Sequence, residues 1–330
     1  MNNEFPILGF DIGGTKIAVC LGTSRGKILG SKRIDSKDRS PDDVLPELVS
    51  IGKELLAASG ISEKKLRAIG IGAPAPMDIP NGLILCPTNM KSWKNVPIRD
   101  YMKKAFGVET FFDNDANAGA LAEWIFGAGK GCENMIYLTM STGIGGGIIA
   151  KGHLIQGKSF LAGEVGHMVI DVKGPLCNCG LRGCYEAFCG GRAIAQRMQS
   201  ELAGTPEHPI VKAAGGKLEN VDMKALVAAV KEKNGYALDI WDKMCFRNAQ
   251  ALGMLINALN PEIIVLGTLA WATGNLFMNP VKNYLPRFCW PEMLSACAIK
   301  ASALGKDIGE YSGICVALNC LYERGEYKLE

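Results

Sequence analysis

Two turns rich in glycine and threonine are the residues that most directly suggest chemistry. The first is Asp11-Ile12-Gly13-Gly14-Thr15-Lys16, and the second is Ser141-Thr142-Gly143-Ile144-Gly145-Gly146-Gly147. Glycine lets backbone N–H groups face one concave spot and lets an anion approach the backbone closely. The threonine hydroxyls add donors, the lysine adds positive charge, and the aspartate offers oxygen ligands of the kind that Mg²⁺ prefers. The turns therefore predict a phosphate site with magnesium.

A tight hairpin is the alternative interpretation of each turn, because each joins two short apolar runs. Their recurrence on two matching strand-turn-strand patterns favours phosphate binding over two unrelated hairpins. Neither turn has the spacing of a Walker A loop or of a strand-to-helix dinucleotide fingerprint. Those two nucleotide-binding folds are therefore disfavoured.

A second group of polar residues follows the apolar pair Phe111-Phe112 and reads Asp113-Asn114-Asp115-Ala116-Asn117. Phosphoryl transfer to a hydroxyl needs a carboxylate that accepts the hydroxyl proton as attack begins. Either Asp113 or Asp115 has the chemistry for this role, and the other has the chemistry of a helix cap. Spacing alone does not choose between them.

A third group combines one histidine with three closely spaced cysteines: His167, Cys177, Cys179 and Cys184. One imidazole and three thiolates make a tetrahedral set for Zn²⁺, and with every position filled by protein the zinc is structural. The alternative is a set of unconnected reduced thiols. A disulfide between Cys177 and Cys179 is disfavoured because the bridge would be strained.

The elements that position these groups follow from apolar runs bounded by glycine. Strands are predicted at 7–12, 17–21, 28–30, 68–72, 135–140, 147–150, 153–155 and 263–267. Helices are predicted at 41–59, 116–126, 313–322 and through most of 186–260. Alternating strands and helices indicate an α/β protein. The return of the same strand plan after roughly 130 residues predicts two related domains.

We place the domain boundary at residue 118. Residues 1–118 form a small N-terminal α/β domain, which a C-terminal helix near 312–325 completes. Residues 119–311 form a larger α/β domain that contains the zinc-binding loop 167–186. Two domains also suit a length of 330 residues, since single domains are usually shorter.

Composition indicates a cytoplasmic enzyme or binding protein. Hydrophobic residues make up 48% of the chain, and 36 basic against 33 acidic side chains leave a net charge of +3. No basic cluster suggests nucleic-acid binding, and polar residues interrupt the most apolar run, 251–266, so membrane binding is not expected. The N-terminus lacks a secretory pattern, and 12 cysteines without one indicate reduced thiols.

The segment Gly163-Glu164-Val165-Gly166-His167, followed by the cysteines and by Glu186, resembles the signature of the ROK family of sugar kinases and repressors. The resemblance covers nearly the whole chain. It implies an actin-like ATPase fold of the ribonuclease H type, with two domains around a cleft. It also implies ATP with Mg²⁺, one structural Zn²⁺ per chain, a hexose as the small-molecule partner, and a homodimer.

The resemblance assigns roles to individual residues. It makes Asp115 the general base, with Asn114 on a sugar hydroxyl, and it puts Gly267 on the adenosine side. It gives His167 two roles, since one ring nitrogen binds zinc and the other donates to the sugar. The remaining sugar contacts are Asn89, Glu164 and Glu186. The residues assigned to the phosphates and Mg²⁺ are Asp11, Gly13, Gly14, Thr15, Lys16, Thr142, Gly143, Gly145 and Gly146.

The expected activity is ATP-dependent phosphorylation of a hexose at O6, and glucose is the expected substrate because the segment between His167 and Cys177 looks most like that of ROK glucokinases. Kinases for N-acetylmannosamine, N-acetylglucosamine or fructose use nearly the same residues. A transcriptional repressor is disfavoured, because only ten residues precede Asp11, and a sugar sensor without turnover is a further alternative. The chain departs from the family at Thr268 and Leu269, where further glycines are common, and at Ala73 and Ala75 of the sugar-side loop.

Overall fold

Strands and helices alternate along the chain, which confirms the α/β class. The structure is a computed structural model that describes residues 4–87 and 90–329. The strands are β1 (Pro6–Ile12), β2 (Lys16–Thr23), β3 (Ile28–Asp35), β4 (Ala68–Ala73), β5 (Met77–Asp78), β6 (Leu83–Ile84), β7 (Thr110–Asn114), β8 (Met135–Met140), β9 (Ile144–Ala150), β10 (His153–Leu154), β11 (Ile263–Leu266) and β12 (Ala298–Ala301).

Twelve α-helices accompany the strands in the described part of the chain. The helices are α1 (Pro41–Ala58), α2 (Ile98–Phe106), α3 (Asp115–Ile125), α4 (Tyr185–Cys189), α5 (Gly191–Glu201), α6 (Pro209–Ala213), α7 (Met223–Lys231), α8 (Gly235–Leu259), α9 (Thr268–Thr273), α10 (Asn275–Tyr284), α11 (Pro291–Ala296) and α12 (Ile308–Glu323). Among the described residues, no helix combines the length and apolar character needed to span a membrane.

The first five-stranded sheet brings the predicted site residues to one edge. Its order is β3-β2-β1-β4-β7, with β1 parallel to β4 and β4 parallel to β7. In this register Asp11 pairs with Gly72, and Gly72 pairs with Asp113. Since parallel strands end on the same side of a sheet, Asp11 and the Asp113–Asp115 segment lie at one edge.

The second five-stranded sheet repeats this plan. Its order is β10-β9-β8-β11-β12, with β8 parallel to β11 and β11 parallel to β12. The middle strand is β1 in the first sheet and β8 in the second. In each sheet the next two strands along the chain lie on one side of it, and two parallel strands lie on the other. The repeat predicted from the sequence is therefore confirmed.

The chain divides into two compact units, and each takes up discontinuous stretches of sequence. Unit 1 comprises residues 1–131, 147–160 and 306–330, and unit 2 comprises residues 132–146 and 161–305. The division differs from a single boundary at residue 118, because all of α3 and the segment 147–160 belong to unit 1. Gly147 shows why, since a Cβ there would overlap the side chain of Ala120 on α3.

Helix α12 packs against β1, β4 and α3 within unit 1. Glycines allow the close approach of this helix to the sheet. A Cβ on Gly70 would overlap the backbone carbonyl oxygen of Gly313, and a Cβ on Gly9 would lie 2.8 Å from the backbone nitrogen of Ile314. Helix α12 therefore packs closely on the sheet that carries Asp11.

Unit 2 has a core of its own, in which α8 is the longest helix. The Asn234 side chain caps its first turn by accepting a hydrogen bond of 3.0 Å from the N–H of Ala237. Its buried residues include Trp241, Met244 and Leu252, which join apolar side chains of β8 and β11. This core supports the second glycine turn and the cysteine loop.

Candidate active site

The first glycine turn joins β1 to β2 in unit 1. The N–H of Gly13 donates a hydrogen bond of 3.1 Å to the carbonyl of Lys16, and a Cβ on Gly13 would lie 2.7 Å from that oxygen. Glycine is thus required for the tightness of the turn, and its φ is not in the left-handed region. The side chains of Thr15 and Lys16 are exposed, so they are accessible to a ligand.

Asp11 lies at the end of β1, next to a second carboxylate. Burial and the charge of Asp115 raise the pKa of Asp11 to about 7, against a smaller opposing effect of Arg33. A Cβ on Gly72 would lie 3.0 Å from Cβ of Ala118, 3.9 Å from Oδ1 of Asp11 and 4.0 Å from Cα of Asp115, so glycine at this position allows the start of α3 to pack close to Asp11. A divalent cation would relieve the repulsion between these carboxylates, so the donor set fits Mg²⁺.

Asp113 is buried and fully engaged inside unit 1. Its Oδ1 accepts hydrogen bonds of 2.7 Å from the N–H of Asn114 and 2.8 Å from the side chain of Asn117. Its Oδ2 accepts one of 2.6 Å from the side chain of Gln156. Burial is the main cause that raises the pKa of Asp113. These contacts give Asp113 a structural role, in which it holds the start of α3.

Asp115 is exposed at the first position of α3. The cap of this helix is Asn114, whose Oδ1 accepts hydrogen bonds of 2.8 Å from Ala116 and 3.4 Å from Asn117. The interpretation of one aspartate as the helix cap is therefore wrong, because the amide between the two carboxylates caps the helix. Exposure makes Asp115 the accessible carboxylate of the pair. Among the contacts of the described residues the cap uses only Oδ1 of Asn114, so its side-chain nitrogen can donate to a ligand hydroxyl.

The second glycine turn lies in unit 2, between β8 and β9. The exposed Thr142 is followed by Gly143, where a Cβ would overlap the carboxylate of Glu186. Oε2 of Glu186 accepts a hydrogen bond of 2.7 Å from the N–H of Ile144. The turn therefore fixes the carboxylate of a predicted sugar ligand directly beside a predicted phosphate ligand.

The predicted metal ligands are close together in unit 2. The ligand atoms of His167, Cys177, Cys179 and Cys184 all lie within 4.8 Å of one another. Nδ1 of His167 is 3.7 Å from Sγ of Cys177, and Sγ of Cys179 is 3.6 Å from Sγ of Cys184. A tetrahedron with metal–sulfur bonds of about 2.3 Å has edges of roughly 3.7 Å. The cluster therefore has the size of a zinc site.

His167 faces two different groups with its two ring nitrogens. While Nδ1 points to the cysteines, Nε2 lies 4.0 Å from Oε2 of Glu164, three residues earlier. Both side chains are partly exposed, at 35% and 41%. A metal on Nδ1 would leave Nε2 protonated as a donor, beside a carboxylate acceptor. This pair can bind a polyhydroxy ligand.

A cavity of about 680 Å³ adjoins the second turn within unit 2. Ser141 and Thr142 lie at one side, α7 contributes Met223 and Val227, and Leu269 of α9 contributes apolar surface. Gly267 itself packs against β8, since a Cβ there would lie 2.8 Å from the hydroxyl of Tyr137. The departure from glycine at 268 and 269 thus places side chains on the wall of this cavity.

Some site residues lie outside these contacts or were missed. Asn89, a predicted sugar ligand, lies outside the described residues. Sequence reasoning missed Gln156, which bonds Asp113 from far along the chain, and it missed Ser36, whose hydroxyl donates to the carbonyl of Gly13. Both are ordinary polar residues in loops, so no local pattern distinguishes them.

Comparisons with known proteins identify relatives over almost the entire chain. The family model described as "ROK family" matches residues 7–313. A glucokinase from Thermotoga maritima is 34% identical over 307 residues, which cover 93% of this chain and 95% of the glucokinase. A xylose repressor from Bacillus spizizenii is 28% identical over 300 residues, which cover 91% of this chain and 73% of the repressor.

A solved structure gives the same result for the fold. The crystal structure of a ROK family glucokinase from Streptomyces griseus, in complex with glucose and AMPPNP, matches with a TM-score of 0.76 and 27% identity. The match covers 93% of this chain and 97% of that one. The chain is therefore similar to a kinase in sequence and fold, and to a repressor in sequence.

Proposed function

The chain belongs to the ROK family and has its actin-like ATPase fold, and we propose that it is an ATP-dependent kinase that phosphorylates a hexose at O6, with glucose as the substrate. The observation that carries the proposal is the contrast between two neighbouring aspartates. Asp113 is buried and accepts three hydrogen bonds, whereas Asp115 is exposed next to the partly buried Asp11. An accessible base beside a candidate magnesium ligand suits phosphoryl transfer.

In the proposed reaction Asp115 accepts the proton of the sugar O6 hydroxyl as that oxygen attacks the γ-phosphorus of ATP. The bond between the γ-phosphorus and the bridging oxygen breaks, and that oxygen leaves with ADP. General-base help of this kind is worth about 10²–10⁴-fold in rate. The rest comes from positioning and from neutralising the charge of the phosphates.

The donor side of the proposal uses Asp11, the two glycine turns and the cavity of unit 2. Asp11 would hold Mg²⁺ on ATP, since a cation compensates its unfavourable position beside Asp115. The N–H groups and threonine hydroxyls of the turns would bind the phosphates. The cavity beside Thr142 has an apolar wall that suits a purine, with Thr268 and Leu269 in place of glycines.

The acceptor side uses Asn114, Glu164, His167 and Glu186, together with Asn89. We also propose that Zn²⁺ binds His167 and the three cysteines, whose spacing fits a tetrahedral site. A bound zinc ion would fix the loop and the tautomer of His167. It would thereby hold His167 and Glu186 in place for the sugar. A homodimer, implied by the family resemblance, and a cytoplasmic location, expected from the composition, stay predictions.

A sugar-binding protein without turnover is the second candidate, and the similarity to a xylose repressor favours it. Kinases for N-acetylmannosamine, N-acetylglucosamine or fructose are alternatives within the kinase class. ADP release should be measured over a panel of hexoses and N-acetylhexosamines. Turnover of glucose supports the proposal, and turnover of another sugar alone replaces glucose as the substrate. Sugar and nucleotide binding without turnover would support the sensor.

The Asp115→Asn variant tests the assigned base. We expect phosphorylation to fall by about 10²–10⁴-fold while glucose binding is retained, because the amide cannot accept the proton. Asp42→Asn is the matched control, since Asp42 is also an exposed carboxylate in the first turn of a helix in unit 1. A near wild-type rate for Asp115→Asn would contradict the assignment.

A further inference from the structure

Ser36 donates two hydrogen bonds to the first glycine turn. It directly follows β3 and is 3% exposed. Its hydroxyl donates a hydrogen bond of 2.6 Å to the carbonyl of Gly13, and its N–H donates one of 3.1 Å to the carbonyl of Thr15. Because the peptide unit is planar and trans, fixing the Gly13 carbonyl also fixes the direction of the Gly14 N–H. Ser36 thus orients a donor of the proposed phosphate site.

The segment 36–39, which begins at Ser36, contacts a second loop through Arg39. The carbonyl of Arg39 accepts hydrogen bonds of 3.2 Å from Nε1 of Trp93 and 3.1 Å from the hydroxyl of Ser92. Trp93 is completely buried, so its indole N–H has few alternative partners. Residues 90–93 directly follow the proposed sugar ligand Asn89 in the chain. We call 90–93 the acceptor loop and 36–39 the bridge.

The bridge is well held along its length. The N–H of Arg39 donates to the carbonyl of Ser36 at 3.3 Å, and the guanidinium of Arg39 bonds the carbonyl of Asp35 at 3.1 Å and the carboxylate of Glu47 at 2.7 Å. Residues of the bridge and of the acceptor loop also line a cavity of about 440 Å³. The hydrogen bonds and the shared cavity wall place the two segments side by side within unit 1.

We propose that Ser36 is a positioning residue for phosphoryl transfer, and that the bridge couples the acceptor loop to the first phosphate turn. The inference rests on the proposed function and adds a regulation of the same site. A sugar bound at the acceptor loop would act on the carbonyl of Arg39 through Trp93 and Ser92. Through the bridge it would then act on Ser36 and on the Gly13 carbonyl. Coupling between two sites is reciprocal, so each ligand strengthens binding of the other.

The first test uses Ser36→Ala, which leaves the Gly13 carbonyl without its hydroxyl donor. We expect KM for Mg·ATP and Kd for Mg·AMPPNP to rise by roughly tenfold, with glucose affinity in the absence of nucleotide unchanged. Ser36→Thr keeps the hydroxyl and should restore most of the AMPPNP affinity. Ser50→Ala is the control, because the exposed Ser50 bonds only Glu54 on the surface of α1 among the contacts of the described residues, and it should match wild type.

The second test uses Trp93→Phe, which removes the indole donor and keeps an aromatic ring. We expect glucose and AMPPNP each to bind alone, whereas the strengthening of one by the other falls towards a factor of one. Isothermal titration of glucose with and without AMPPNP measures this factor. If glucose and AMPPNP strengthen each other's binding in Trp93→Phe as much as in wild type, the coupling is overturned.

The outcomes separate this inference from the proposed function. If wild type phosphorylates glucose and Ser36→Ala keeps wild-type values for both nucleotide constants, the inference fails alone. If wild type phosphorylates no hexose but binds AMPPNP, the proposed function fails, and the AMPPNP affinity of Ser36→Ala still decides the role of Ser36. If wild type does not bind AMPPNP, both fail.

Discussion

At the scale of single residues, three aspartates close together in unit 1 differ only in surroundings. Asp113 is buried and accepts three hydrogen bonds, Asp115 is exposed, and Asp11 lies between these extremes. Carboxylates in different environments separate in pKa and thus in chemical role. The raised pKa of Asp11, at about 7, makes this residue the natural place for a pH-dependent effect.

Metal use should depend on pH through Asp11. The carboxylate must be ionised to hold Mg²⁺, so at subsaturating Mg²⁺ we expect phosphorylation to rise as the pH rises through about 7. Saturating Mg²⁺ should shift this rise to lower pH, because metal and proton compete. Rate measurements from pH 6 to 8 at two Mg²⁺ concentrations test this, and identical profiles would contradict it.

The same pKa has a consequence for stability. The pKa of Asp11 rises from 3.8 to about 7 on folding, so between these values the folded chain binds the proton more tightly than the unfolded chain. The contribution of Asp11 to stability therefore falls as the pH rises from about 4 to about 7. Without Mg²⁺, the gain in Tm of Asp11→Asn over wild type should grow across this window, and an equal gain at pH 4 and at pH 7 would contradict this.

At the scale of elements, the loop between His167 and Glu186 has little regular structure. Two isolated backbone bridges, Val169 with Cys184 and Leu176 with Arg182, are its extended pairings among the described residues. An ion pair of 2.8 Å between Asp171 and Arg247 ties it to α8. Backbone hydrogen bonds of 2.8 Å from Cys177 to the carbonyl of Leu181 and from Gly183 to the carbonyl of Pro175 hold its turns. A zinc ion on the four proposed ligands would add a further restraint on the loop.

Removing one proposed ligand should therefore release the metal and make the loop less ordered. We expect Cys177→Ser to lose about one zinc ion per chain and to weaken glucose binding, because His167 and Glu186 flank the loop. Metal analysis and amide hydrogen exchange across 168–184 measure these effects. Cys132→Ser changes a cysteine of the same unit outside the cluster, and it should keep the metal. Unchanged zinc content in Cys177→Ser, or no zinc in wild type, would contradict the site.

At the scale of the whole molecule, unit 1 is assembled from both ends of the chain and a middle segment. Helix α12 lies against the sheet at a distance that only glycine permits, with Gly70 facing the carbonyl of Gly313. Neither backbone can give way easily, because each belongs to a regular element. The stability of unit 1 thus depends on a contact between residues far apart in sequence.

Gly70→Ala should lower the free energy of unfolding by about 1–3 kcal/mol, since the new methyl group overlaps backbone atoms. Gly235→Ala is the control, because no heavy atom lies within 4 Å of a Cβ built there and its φ is not left-handed. Urea unfolding followed by circular dichroism compares the two variants. Equal stability of both would show that α12 is not held by this close approach.

Much of the architecture follows from local patterns, whereas several short elements do not. The strand 135–140 and the helix starting at Pro41 are predicted almost to the residue, because apolar periodicity and a proline are local signals. Strands β7 and β12 are missed. Phe111-Phe112 is too short an apolar run to predict a strand, and Ala298–Ala301 has no strong pattern, so pairing with neighbouring strands creates both elements.

The sequence by itself determined the glycine turns, the four proposed metal ligands and the family signature, because each is a short spacing that local chain geometry must satisfy. Only the tertiary structure decided which aspartate is accessible, that Asn114 is the cap, and that Ser36 and Gln156 contact the site. Burial and hydrogen bonding depend on which strands align and where loops return. Residues distant in sequence set those conditions, so no local pattern contains them.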